Sequence, residues 1–200
     1  MAEIDHSQNR PPTAYARDVF DRCVAALEME PGSIELYAND LVGQHAVGMA
    51  AFIGKRRIVL YRPASMARLE VSTRKGWGGV KVMAHEVGHH LWYMRHGWDQ
   101  SSWERELGAD YYAGVALARL GAGTIDLDDY FAWAFYADGT DKHPDTVLRM
   151  RALRRGWIDG GGKGAPETDL DKLYAMYWER MTRWWPDDHP EHPKFKRSKK

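Results

Sequence analysis

The fold is decided by one stretch of the chain, Val82-Met83-Ala84-His85-Glu86-Val87-Gly88-His89-His90-Leu91-Trp92. Within it, His85, Glu86 and His89 form the pattern H-E-x-x-H. Because positions four apart lie on one face of an α-helix, the two imidazoles can bind one Zn²⁺. The glutamate beside the first histidine can reach a water on that metal as a general base. The stretch therefore predicts a helix of a zinc hydrolase, most simply of a peptidase.

A catalytic zinc commonly has three protein ligands and leaves its fourth position to water. Glu106 and Asp110 lie four apart on the next predicted helix and share a face. Glu106 is the predicted third ligand, and Asp110 is predicted to accept a hydrogen bond from a ligating imidazole and so fix its orientation. Glu104 is a competing ligand, although it points elsewhere on the helix. Both acids of the pair can also be plain surface residues near a helix start, where acids are common.

His96 is a further histidine near the motif, and it does not complete a metzincin site. That pattern needs a glycine three residues after the second histidine and a third histidine three residues later. Trp92 and Arg95 occupy those positions. His96 misses the required position by one residue, which excludes that class.

The order of three motifs resembles the zinc peptidases of the HtpX and CaaX-prenyl-protease type, in a soluble form. The motifs are His85-Glu86-x-x-His89, then Glu106-x-x-Ala109-Asp110, then His143-Pro144-Asp145-Thr146-Val147-Leu148-Arg149. The resemblance covers roughly residues 34–155. It implies a gluzincin metallopeptidase with one zinc ion per chain on His85, His89 and Glu106, and with Glu86 as the general base.

The same resemblance puts His143 and Arg149 near the metal as catalytic residues that bind the substrate carbonyl or stabilise the oxyanion. Each has a simpler alternative. His143 can cap the helix that follows it, and Arg149 can pair with Asp145 one turn earlier.

The resemblance also implies the fold. It is α+β and zincin-like (minigluzincin), with a small antiparallel sheet packed on the H-E-x-x-H helix and on the glutamate-bearing helix, and with further C-terminal helices. Residues 49–52 and 57–61 are similar to the family's strand pair, whose edge pairs with the substrate backbone. The membrane-embedded members have spanning helices that are not found here, so prenyl-protein substrates are not carried over.

Hydrophobic periodicity and turn residues give the expected course of the chain. Strands are predicted over 34–37, 47–53 and 57–61, and helices over 13–29, 66–71, 80–94, 103–120, 130–135 and 144–155. The expected divisions are a disordered N-terminus (1–12), a zinc metallopeptidase domain (13–158), a Gly-rich linker (159–168), a C-terminal amphipathic helix (169–186) and a basic tail (187–200).

The composition narrows the function classes. Lys plus Arg and Asp plus Glu balance at 28 each, so no overall charge favours nucleic acid. The single cysteine allows no intrachain disulfide, and no apolar signal or membrane-spanning run is found. We therefore expect a cytoplasmic enzyme that acts on a peptide or protein substrate, binds no nucleic acid and does not span a membrane. The oligomeric state stays open.

Two other functions remain alternatives. One is a regulatory zincin-like protein whose main output is to bind or cleave one specific partner, as in soluble gluzincins that cleave a repressor. The other is a catalytically degenerate structural relative. The intact Glu86 argues against the second, because a general base is not needed to hold zinc.

Overall fold

The computed structural model describes residues 5–42, 47–73, 76–97, 99–124, 126–127 and 143–163. Over these residues, five α-helices and three β-strands build an α+β fold, which confirms the predicted class. Their order is α1 (Ala14–Ala26), β1 (Glu35–Ala38), β2 (Gly48–Ile53), β3 (Arg56–Tyr61), α2 (Pro63–Ser72), α3 (Trp77–His96), α4 (Ser102–Arg119) and α5 (Thr146–Asp159).

The sheet is mixed, so the prediction of an antiparallel sheet is wrong for one of its two strand pairs. β2 and β3 form the expected antiparallel hairpin around Gly54, whose φ of +58° suits glycine. β1 instead pairs in parallel with the other edge of β3, with Glu35 opposite Ile58. Periodicity identifies strands but not their neighbours. The most buried strand, β3, takes the centre.

The two faces of β3 belong to different cores. Val59 and Tyr61 face the main core, which the helices share, while Ile58 and Leu60 pack with Val42 on the other face. The alternation follows from the period of two along a strand. Helix α3 contacts β2, β3, α1, α2 and α4, and is therefore the element around which the others pack.

Helix α3 begins earlier than the sequence predicts, at Trp77 rather than at residue 80. The glycines there look like a loop but serve a close contact. A Cβ on Gly78 would lie 2.6 Å from Cγ2 of Thr73, whose Oγ1 accepts a 2.9 Å hydrogen bond from the Gly78 N–H. Helix α5 begins later than predicted, because Asp145 caps it by accepting from the Leu148 N–H at 3.0 Å.

Of the N-terminal residues expected to be disordered, the structure describes 5–12, and several of them contact the end of β1 or the segment after it. Arg10 and Ala38 exchange backbone hydrogen bonds of 2.9 and 3.0 Å, and the Asn39 side chain donates to the Asp5 carbonyl and to Asn9. The predicted helix over 130–135, the C-terminal helix 169–186 and the basic tail 187–200 lie outside the described residues, as does the linker from residue 164. Of the helices that the structure describes, none combines the length and apolar character that crossing a membrane requires.

Candidate metal centre

His85 and His89 lie on one face of α3, with their ring centroids 4.6 Å apart. The residue before the second histidine, Gly88, faces helix α4. A Cβ at Gly88 would stand 2.7 Å from the carbonyl oxygen of Ala109. The glycine therefore lets the two helices approach closely enough for side chains from both to meet. Gly108 makes room in a different way, because its missing side chain accommodates the Trp92 ring.

Helix α4 brings Glu106 to both histidines. One carboxylate oxygen, Oε2, lies 3.5 Å from His85 Nε2, and the other, Oε1, lies 3.5 Å from His89 Nε2. The Glu106 side chain is only 15% exposed, so it is not a surface acid. Glu104 does not compete with it, because its carboxylate accepts hydrogen bonds from the Ser101 N–H at 2.8 Å and hydroxyl at 2.7 Å and closes the N-terminal capping box of α4.

These three side chains can hold a metal ion. One ligand atom from each of His85, His89 and Glu106 lies within 4.8 Å of the other two. In a tetrahedral site with bonds of about 2.1 Å, ligand atoms lie roughly 3.4 Å apart. The two histidine–carboxylate distances of 3.5 Å are close to this value, with each histidine facing a different oxygen of Glu106. Two imidazoles and one carboxylate form a donor set suited to zinc and to other divalent transition metals.

Asp110 fixes the orientation of His85. Its Oδ1 lies 2.9 Å from His85 Nδ1, the contact that the sequence predicts. With Nδ1 donating to this carboxylate, Nε2 is the ring nitrogen left to face Glu106 and His89. Asp110 is buried, so its charge needs a partner of its own.

Arg149 of α5 is that partner. Its Nε and one terminal nitrogen donate to the two oxygens of Asp110 at 2.6 and 2.9 Å, and the same terminal nitrogen lies 3.5 Å from Glu106 Oε2. Asp145, the partner considered from the sequence, instead caps α5 through its Oδ1. The guanidinium is 8% exposed and faces these two carboxylates. This placement suits a residue that holds the ligands better than one that binds substrate.

His143 lies on the open side of the group. Its Nε2 is 3.8 Å from Glu106 Oε1, and its side chain is 54% exposed. It precedes Asp145, the N-cap of α5, and so does not cap the helix itself. All of the predicted site residues are thus brought to one place, with Arg149 on the buried side of Glu106 and His143 on the exposed side.

Burial and neighbouring charges act against each other at the histidines. Burial alone would lower the pKa of His85, but the carboxylates of Asp110 and Glu106 outweigh it and raise this pKa to about 10. Burial lowers the pKa of His89 to about 3, helped by the charge on His85. Although burial opposes it, the two histidines and Arg149 hold the pKa of Glu106 at about 2. Two adjacent buried imidazoles therefore do not both carry a positive charge.

The carboxylate of Glu86 contacts strand β2. Its Oε2 accepts a 2.7 Å hydrogen bond from the backbone N–H of Ala50, and burial raises the pKa of its carboxyl group. Gly48 also lies against this side chain. The resemblance places residues 49–52 in an edge strand that pairs with the substrate, but it does not predict that Gly48 and Ala50 contact Glu86. The one sequence signal was a glycine inside a strand pattern, which often marks a close approach.

Searches with this chain against protein families, characterised proteins and solved structures found no match.

Proposed function

We propose that this chain is a zinc-dependent metallopeptidase of the gluzincin type with a zincin-like fold. The observation that carries the proposal is the meeting of His85, His89 and Glu106 within 4.8 Å of one another, with Glu86 buried on the same helix as the two histidines. A structural metal site would need the three ligands but not the neighbouring base. Zinc is the proposed metal because catalytic zinc commonly uses three such ligands.

In the proposed mechanism, His85, His89 and Glu106 would hold the ion, and Asp110 would keep His85 in the ligating tautomer. Zinc, when bound, would supply Lewis acidity that lowers the pKa of a water and polarises a peptide carbonyl. Glu86 accepts a proton from the attacking water as the C–O bond forms. It then returns that proton to the nitrogen of the leaving amine as the C–N bond breaks.

His143 and Arg149 have different proposed roles. His143 is proposed to donate to the carbonyl oxygen as negative charge develops there, because it lies at the exposed side of Glu106. Arg149 is proposed to hold Asp110 and Glu106 in place through its buried contacts. The proposed substrate class is a peptide or protein.

The test combines metal content with peptide cleavage. Purified protein is expected to contain about one zinc per chain by elemental analysis. It should cleave a mixed peptide library, lose this activity with chelator and regain it with added zinc. A metal-free preparation that remains active would overturn the proposal. Zinc binding without cleavage of any peptide would support the metal site and contradict the proposed peptidase activity.

Glu86→Gln is the matched variant. It keeps the size of the side chain and removes the base, so zinc content should stay at the parental level while hydrolysis falls by at least about a hundredfold. Full activity in this variant would exclude Glu86 as the base.

A further inference from the structure

Strand β2 presents one edge to β3 and the other to the metal centre. Arg62 N donates to the Val47 carbonyl at 2.9 Å, and Val47 directly precedes Gly48, which stands opposite Tyr61. Since backbone groups alternate between the two edges of an antiparallel strand, residues 49, 51 and 53 direct their N–H groups toward β3. Those of 48, 50 and 52 point outward. Among the described residues no further strand pairs with this outer edge.

An outward N–H on such an edge would ordinarily bond to water. The Ala50 N–H donates instead to Glu86 Oε2 at 2.7 Å, a short distance that fits a bond to an ionised acceptor. The carboxylate is buried and has lost most of its water, so this backbone donor compensates part of the cost. The contact joins the edge strand directly to the glutamate of the H-E-x-x-H motif.

Gly48 also lies next to the Glu86 side chain, and its lack of a side chain leaves space there. A Cβ at this position would lie 3.0 Å from Glu86 Cγ, 3.0 Å from Val82 Cγ1 and 3.3 Å from Glu86 Oε1. Oε1 is the carboxylate oxygen that does not bond to Ala50. Any side chain at residue 48 would therefore press on both the stem of Glu86 and its second oxygen.

We propose that the outer edge of β2 positions the general base: the Ala50 N–H fixes Oε2 of Glu86, and the absence of a side chain at Gly48 leaves room for Oε1 to receive a proton. Gly48 and Ala50 are positioning residues that act through Glu86. The role of Glu86 as a base rests on the proposed function, whereas its contact with β2 can be tested without any activity.

The first experiment is amide hydrogen exchange of the full-length protein, followed by NMR. The Ala50 amide should exchange slowly although it lies on an outer edge, and in Glu86→Ala it should exchange at least about tenfold faster. Ala51, whose N–H points to β3, is the internal control and should not change. Glu86→Gln retains an acceptor oxygen and should retain most of the protection. Equal Ala50 exchange in the parent and in Glu86→Ala would overturn the proposal.

The second experiment separates positioning from binding. Ala50→Pro deletes the outward N–H without removing a hydrogen bond to β3, and Gly48→Ala adds the obstructing Cβ. Both should lower kcat by about ten- to a hundredfold, because a small misplacement of a reacting group is costly. KM and zinc content should stay close to parental. Ile53→Ala, on the other face of the sheet, is the matched control and should keep kcat.

The outcomes are distinguishable. Parental kcat in both Ala50→Pro and Gly48→Ala would overturn the positioning role, and if the proline variant does not fold, Gly48→Ala decides. If the parent protein cleaves no peptide, the proposed function is contradicted. The exchange of the Ala50 amide would then decide alone whether the edge strand holds Glu86.

Discussion

Charge pairing between single side chains explains why the metal centre tolerates so many buried ionisable groups. Arg149 neutralises Asp110 through two hydrogen bonds, and Asp110 in turn orients His85. Each group lowers the cost of burying the next, but none is stable there alone. The chain from Arg149 to His85 should therefore be sensitive to the loss of any member.

Arg149→Ala leaves the Asp110 carboxylate buried without its main cation. We expect it to lower the free energy of unfolding by about 3–5 kcal/mol, measured by urea unfolding with chelator present throughout. Arg155→Ala is the matched control on the same helix, because Arg155 pairs with Asp159 at 3.0 Å but is 70% exposed. That change should cost less than about 1 kcal/mol. Similar costs for both variants would show that the Arg149–Asp110 contact is not a buried pair in solution.

Glu106 and Glu104 offer a second comparison between neighbouring acids. Glu106→Ala removes a carboxylate 3.5 Å from both histidines and should weaken metal binding by more than the roughly 10- to 100-fold caused by losing an outer hydrogen-bond partner. Glu104→Ala should only weaken the cap of α4 and leave metal affinity near parental. Competition with a chromogenic chelator gives both affinities. Metal loss in the Glu104 variant with retention in the Glu106 variant would reverse the ligand assignment.

The crossing of α4 and α5 determines whether Arg149 reaches Asp110. At this crossing a Cβ on Gly114 would lie 1.9 Å from the Leu153 carbonyl oxygen, and one on Gly156 would lie 1.8 Å from that of Tyr111. Two glycines thus bring the backbones into contact, and the ion pair between the helices depends on that short separation.

Gly156→Ala should force these helices apart. Helix propensity alone would make the change favourable by about 1 kcal/mol, so a loss of stability isolates the packing effect. We expect a loss of about 1–3 kcal/mol, and weaker metal binding because Arg149 moves with α5. Gly123→Ala is the control, since among the described residues its Cβ would meet only Asp126 Oδ2 at 3.4 Å. An equal free energy of unfolding in Gly156→Ala and in the parent would contradict the close crossing.

Spacing along a helix was enough to predict which side chains come together at the candidate metal centre. His85, His89, Glu106 and Asp110 follow from positions four apart, because helix geometry fixes the face of a side chain. The bidentate contact between Arg149 and Asp110 could not be predicted, because it depends on how closely α5 crosses α4. The contact between Ala50 and Glu86 requires that the Ala50 N–H point away from β3. A one-residue change in the register of β2 would turn this N–H toward β3 instead.

The bounds of the helices and strands were predictable where the apolar periodicity is strong. They were less predictable where small residues dominate the sequence. The strands of the hairpin and the body of α3 follow from periodicity alone. The first turn of α3 was missed because glycines that serve close packing look the same in sequence as glycines of a loop. The parallel pairing of β1 with β3 could not be predicted, because which strands become neighbours depends on how the whole sheet is buried.

One continuous core joins the helices to the sheet. Phe20 and Cys23 of α1, Met83 of α3 and Trp157 of α5 belong to the same buried cluster as Tyr61 of β3. The proposed metal ligands on α3 and α4 extend from helices that this core holds. Metal binding and folding of the described residues should therefore be coupled, because an ion that binds only the folded chain stabilises it.

Cys23 can report that coupling. Its side chain is fully buried, its thiol donates to the Val80 carbonyl at 3.6 Å, and burial raises its pKa to about 12. At pH 8 only about one thiol in ten thousand would be ionised, so a thiol reagent should label the chain only when it unfolds. With free zinc at about a hundredfold above its dissociation constant, labelling should slow by roughly a hundredfold relative to the same sample with chelator. Cys23→Ala gives the background, since the chain has no other cysteine. Labelling at the rate of a free thiol would contradict the burial of α1, and a rate unaffected by zinc would show that the metal centre and the core are not coupled.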